Sequence, residues 1–181
     1  MLIAALSGAL TWSLLEYLIH RFAGHDRRLA RRTPFGIEHT AHHSRGDYFA
    51  PWWKKLIVLL LFVALVLPLA TLGLGGALGA AYTVGLVGFY AGYELLHRLL
   101  HVWQGVGPYA RWARRHHFHH HFHDPRSNHG VTSPLWDIVF GTRRRAGRIE
   151  VPAKLAMRWL RDPTTGSVHP HLARDYALRA R

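Results

Sequence analysis

The sequence has no cysteine in its 181 residues, which excludes a disulfide framework and any thiolate metal site. A metal could be held only by nitrogen and oxygen. Acidic residues are also scarce, ten against 23 lysines and arginines, and long stretches carry almost no charge. Between Leu56 and Leu96 the only charged residue is Glu94, and the first nineteen residues contain only Glu16. A membrane-spanning helix needs about 20 mostly apolar residues, so the middle stretch has room for two spans and the N-terminus for one. The expected spans are 2–19, 56–74 and 77–96. GLGGALGA at 73–80 is the expected hairpin turn between the last two, and Pro68 is expected to kink the second. A cleaved signal peptide fits residues 1–19 poorly, because no lysine or arginine precedes Arg21.

The basic residues are confined to 21–55, with eight, and 98–181, with fifteen. By the positive-inside rule both segments face the cytoplasm. The expectation is therefore a single-domain, all-α integral membrane protein, with about three transmembrane helices and a cytosolic helical cap made of 20–55 and 97–181. The formal charge of +13 is read as topological, and flanking three apolar spans it argues against a nucleic-acid partner. Pro51-Trp52-Trp53-Lys54-Lys55 resembles an interfacial anchor. DPTTGSVHPH at 162–171 reads as loop, and the tail LARDYALRAR as a short surface helix.

Sixteen histidines fill the remaining space, six of them in RRHHFHHHFHDP at 114–125. Four clusters stand out: His20 and His25; His39, His42 and His43; His97 and His101; and His117, His120 and His121. Helix positions i, i+3 and i+4 lie on one face, so each HxxHH triplet and the His97–His101 pair is expected to aim its rings at one point. The five-residue interval from His20 to His25 does not fit an α-helical face, so the helix is expected to end or unwind near Gly24. Ten imidazoles are too many for one ion and suit two ions with about five nitrogens each; imidazole alone does not choose among zinc, copper, iron and nickel. His116, His119, His123 and His129 are left out of the set, and His169 and His171 are read as surface residues. Glu16, four residues before His20, and Glu94, three before His97, are the only acids in the spans. They are expected to orient ligands or each other's helices.

EYLIHRFAGH, HTAHH followed by FAPWW, YELLHRLLH, HHFHHH and GVTSPLWDIVFGT together resemble, in order, the landmarks of the fatty acid hydroxylase superfamily, closest to its fatty acid 2-hydroxylase branch. The resemblance covers about residues 16–142. It implies a membrane-bound di-iron oxygenase that uses O2 and external electrons to hydroxylate a C–H bond of a lipid acyl chain, although zinc can occupy such a site in purified material. Carried over by position, the ligands are His20, His25, His39, His42, His43, His97, His101, His117, His120 and His121, and Asp137 accepts a ligand N–H. Trp136 and Phe140 then serve packing or the substrate channel. The resemblance implies an integral membrane protein of the bacterial inner membrane or endoplasmic reticulum type, with the metal site facing the cytoplasm. No fused cytochrome b5 domain fits in this chain, so a separate donor, a ferredoxin or a cytochrome b5-like protein, is expected. Relatives commonly have four spans, which leaves the enclosure of the acyl chain open. Carotenoid hydroxylases and sterol or lipid desaturases are the rivals within the superfamily. A histidine-rich membrane metal transporter is the rival from another class, but it should place ligands inside its spans. Arg21, Arg98, Arg114 and Arg115 are candidates for reading a lipid head group.

Overall fold

The computed structural model describes residues 1–105 and 107–180. The chain is mostly helical, in the order α1 (Leu2–Leu18), a π-helical turn (Ile19–Gly24), α2 (Pro34–Arg45), α3 (Trp52–Leu74), α4 (Gly76–Val102), α5 (Pro108–Phe122) and α6 (Leu135–Val139), then β1 (Ile149–Pro152) and β2 (Tyr176–Arg179). It divides into two compact units, residues 1–16 with 50–96, and residues 17–49 with 97–181.

The first unit is apolar. Among the described residues two helices are long and apolar enough to cross a membrane, Leu2–Gly24 and Trp52–Leu74. The third expected span corresponds to α4, a continuous helix of 27 residues whose glycines and tyrosines dilute its hydropathy. The turn between α3 and α4 is a single residue, Gly75, at a φ of 85° that favours glycine. Helix α3 runs through Pro68 without a break. Trp12 is the centre of the unit, with its ring 5.3 Å from Phe62 and 4.7 Å from Tyr90. Helices α1 and α4 meet backbone to backbone at two glycines. A Cβ on Gly8 would lie 2.0 Å from the Tyr82 carbonyl oxygen, and one on Gly85 would lie 1.9 Å from that of Ala5. Small residues of this kind let membrane helices approach closely.

The second unit has a conventional core. Phe118 and Phe122, one turn apart on α5, pack with Ile149, Val151, Met157, Leu160 and Tyr176. Here the structure corrects two expectations. The tail forms no helix: Tyr176–Arg179 pairs as a parallel strand with Ile149–Pro152, so the fold is mostly helical rather than all-α. Ile149 and Val151 of β1 and Tyr176 of β2 pack with the Phe face of α5, and a run of four residues is too short for its period to tell strand from helix.

Candidate metal centre

Four segments of the second unit carry the histidines, and each is shaped by local signals. Helix α2 starts at Thr33, whose hydroxyl accepts the Gly36 N–H at 3.0 Å, with Pro34 at the first position. It stops at Gly46, at a φ of 72°. Helix α5 also opens on a proline, Pro108. The end of α4 is closed by Arg114, whose guanidinium donates to the carbonyl groups of Leu100 at 2.7 Å, Leu99 at 3.4 Å, Gln104 at 3.5 Å and Trp103. Arg114 is 2% exposed and lies over the Trp159 ring, so it is a helix cap rather than a head-group reader. Of the other three candidates, Arg21 donates to the Tyr17 hydroxyl, Arg98 lies over Phe49, and Arg115 donates to the carbonyl groups of Ala146 and Gly147.

The helix ends at Gly24 with His25 at its C-cap, and a π turn in place of an α turn spans the interval from His20 to His25. A π turn is wider than an α turn and bonds residue i to i+5, so it brings together two side chains that an α-helix would separate. Their rings are 5.2 Å apart. Gly24 lets the turn approach α2 closely, because a Cβ there would come within 2.9 Å of the His39 ring and displace it.

The ten clustered histidines gather into two groups of five, each offering ring nitrogens that lie within 4.8 Å of one another and could hold a metal ion. The first group is His20, His25, His39, His43 and His120; the second is His42, His97, His101, His117 and His121. The triplets do not each aim at one point, as their spacing suggested. In HTAHH the i, i+4 pair His39 and His43 joins the first group, while His42 joins the second; in HHFHHH the pair His117 and His121 joins the second group, while His120 joins the first. On a helix i and i+4 differ by about 40° whereas i+3 and i+4 differ by about 100°, so a triplet of this form can face two adjacent points. Each group thus receives one pair from the π turn or from α4, one i, i+4 pair, and one ring contributed by the other triplet.

The ring nitrogens are arranged to accept a cation. His20 Nδ1 donates to the His129 carbonyl at 2.5 Å, His42 Nδ1 to that of Tyr48 at 2.7 Å, and His120 Nδ1 to that of Ser127 at 2.7 Å. A proton held on Nδ1 leaves the Nε2 lone pair free. The Nε2 atoms of His20, His43 and His120 are buried with no hydrogen-bond partner, and so are both ring nitrogens of His121. Facing Nε2 atoms stand 2.8 Å apart for His25 and His39, 3.0 Å for His42 and His97, and 3.0 Å for His101 and His117. Metal–nitrogen bonds of about 2.0–2.1 Å require neighbouring ligand nitrogens roughly 2.9–3.4 Å apart, so the donor set fits two ions. Burial, followed by the charges of neighbouring imidazoles, holds His39, His43, His120 and His121 well below the usual histidine range. His25 is brought down to about 4 by burial and then by His129. The rings are therefore neutral near pH 7, the form that ligates.

Asp137 and Glu94 bond groups other than the ten rings. Asp137 accepts from the backbone N–H groups of His129 at 2.9 Å and Gly130 at 2.8 Å, from the Thr142 hydroxyl at 2.7 Å, and from His116 at 3.3 Å. Its imidazole partner is thus His116 and none of the ten. Despite the desolvation cost, hydrogen bonds from His116, Thr142 and the backbone hold its carboxyl down at about 2. Glu94 pairs with Lys55 between α4 and α3, and Glu16 is buried at 4% exposure. The three Nδ1 donors above use backbone carbonyls instead, which fix the tautomer without bringing formal charge into a buried site.

The residue that the spacing missed is His129. It is 2% exposed, with its ring 5.3 Å from His120 and 5.5 Å from His20. Its backbone joins Asp137, through the N–H, to His20, through the carbonyl. The only signal for it was its position immediately before GVTSPLWDIVFGT. Within that motif Phe140 stacks on Tyr17 at 5.2 Å and also meets Trp136. His119 pairs with His123 outside both groups, and His171 is exposed.

Comparison with known proteins shows the family to which the chain belongs. The fatty acid hydroxylase family model matches residues 5–142. The "dihydroceramide fatty acyl 2-hydroxylase FAH2" of Arabidopsis thaliana is 34% identical over 142 residues, covering 75% of this chain and 58% of that protein. The fatty acid 2-hydroxylase of Homo sapiens is 35% identical, over 75% of this chain and 38% of its own length. The solved structure of full-length scs7p, in which only the hydroxylase domain is visible, superposes with a TM-score of 0.64 at 28% identity, covering 82% of this chain and 59% of that one. The chain thus spans less than two thirds of the length of these relatives. With the family model matched across both the apolar helices and all four histidine clusters, this chain belongs to the fatty acid hydroxylase family.

Proposed function

We propose that the chain is a membrane-bound, metal-dependent oxygenase that hydroxylates a C–H bond of a lipid acyl chain, with the ten histidines as ligands of two iron ions. The observation that carries this reading is the division of ten imidazoles, seven of them buried and three half-buried, into two groups of five, in a chain whose relatives are named fatty acyl and ceramide fatty acid hydroxylases. Bound iron would supply activation of O2. The protein supplies ligand geometry, exclusion of water and placement of the substrate carbon. Phe35 stacks on His39, and Phe49 packs against His42, His97 and His101, so apolar rings shield the groups from water.

In this reading α1, α3 and α4 all cross the bilayer, the histidines face the cytoplasm, the acyl chain enters from the lipid, and a separate carrier delivers electrons. The test is lipid mass spectrometry of cells with and without the gene, with His120→Ala as the control. A gain of one oxygen on acyl chains, lost in the control, is the expected result. Loss of two hydrogens would indicate desaturation, and oxygen on a polyene would indicate carotenoid chemistry. Unchanged lipids with altered metal uptake would indicate transport.

A further inference from the structure

A concave feature of the 17–49 and 97–181 unit has none of the ten clustered histidines in its lining. It is a cavity of about 780 Å³ lined by six arginines, Arg111, Arg115, Arg143, Arg144, Arg145 and Arg174. One carboxylate, Asp175, also lines it; this residue is buried and already engaged by Arg111 at 2.6 Å and Arg115 at 3.6 Å. Arg143, Arg145 and Arg174 have no carboxylate partner among the described residues. The remaining wall includes Trp112, stacked on buried His116 at 5.2 Å.

Six arginines line one hollow that has a single carboxylate among its described lining residues, so the hollow carries a strong positive potential that favours an anion. Guanidinium forks match phosphate oxygens in bidentate geometry. The volume falls in the usual range for small-molecule pockets, roughly 300–1,000 Å³, which favours a compact ligand over an extended acidic protein surface. The indole provides a flat apolar face beside the charge. We propose that this cavity binds a phosphate-bearing anion, either a free phosphate compound or the phosphorylated head group of a lipid.

The test uses the full, metal-loaded chain. Calorimetric titration with inorganic phosphate in detergent addresses the free compound. Binding to phosphatidylcholine nanodiscs with and without phosphatidic acid addresses the head group. The triple variant Arg143→Gln, Arg145→Gln, Arg174→Gln is compared with Arg28→Gln, Arg31→Gln, Arg32→Gln, which removes the same charge from exposed positions elsewhere. Saturable binding to either probe that weakens by about tenfold or more in the cavity variant, and by less than about twofold in the other, supports the site. Saturation by inorganic phosphate assigns a soluble ligand, and saturation by phosphatidic acid alone assigns the head group. Absence of saturable binding to both probes, or equal loss in the two variants, overturns the proposal. If the triple variant does not fold, Arg174→Gln alone provides the same comparison, with about a threefold loss expected.

Discussion

His43 and His121 stack face to face, ring centroids 3.9 Å apart and planes within 3° of each other. One belongs to each group of five, so the two candidate metal positions share a wall of two imidazoles contributed by α2 and α5. This contact follows from the exchange of His42 and His120 between the triplets. Because each helix serves both groups, neither group can form unless α2 and α5 are docked together.

Metal stoichiometry follows from that division. His39→Ala with His43→Ala removes the i, i+4 pair of the first group, and His117→Ala with His121→Ala removes that of the second. Each double variant should fall from about two metal ions per chain to about one, measured by elemental analysis of purified protein. Loss of all metal in both variants would show that the groups load as a single unit.

The sign of the pH dependence is set by burial. His25 and His129 titrate at about 4 in the folded chain, held down mainly by burial, against 6.5 for a free imidazole. A group with a lowered folded value binds fewer protons folded than unfolded between those limits, so stability is lost as pH falls from 6.5 towards 4, by at most about 1.4 kcal/mol per pH unit for each group. Thermal unfolding of the metal-free protein should give a melting temperature that is level above about pH 7.5 and declines through that window. A melting temperature that rises on acidification would contradict it.

Gly85 tests the apolar unit. Replacing it with valine forces branched carbon atoms against the Ala5 carbonyl, where even a Cβ would lie 1.9 Å away. Overpacking of this kind costs on the order of 1–3 kcal/mol or more. Gly85→Val should lower the melting temperature and the yield of monodisperse protein, while Gly88→Ala, at a position with nothing within 4 Å of an added Cβ, should be tolerated.

Asp137 positions the loop whose His129 carbonyl holds His20. Asp137→Ala should therefore weaken metal binding by the first group, by about 10–100-fold, in a competition titration against a chelator, and leave the second group near its original affinity. Equal weakening of both groups would mean that Asp137 supports the fold as a whole.

The ten imidazoles that come together could be read from the sequence because helical spacing and the ends of apolar runs are local properties. How they divide could not be read, because the exchange of His42 and His120 depends on two helices meeting. The His20–His25 pair was harder still: five is not an α-helical interval, and only the π turn makes it one face. His129 and the Asp137–His116 pair lie in or against a loop, where no periodicity reports burial. The parallel pairing of Ile149–Pro152 with Tyr176–Arg179 joins segments far apart in sequence, which a tail read alone as a helix does not reveal.

The central claim is that two metal ions sit side by side, each among five imidazoles. Anomalous diffraction from crystals of the iron-loaded protein, collected at the iron edge, tests it directly. The account predicts two peaks, one inside His20, His25, His39, His43 and His120 and the other inside His42, His97, His101, His117 and His121. A single peak shared between the groups, or metal bound outside both, would contradict it.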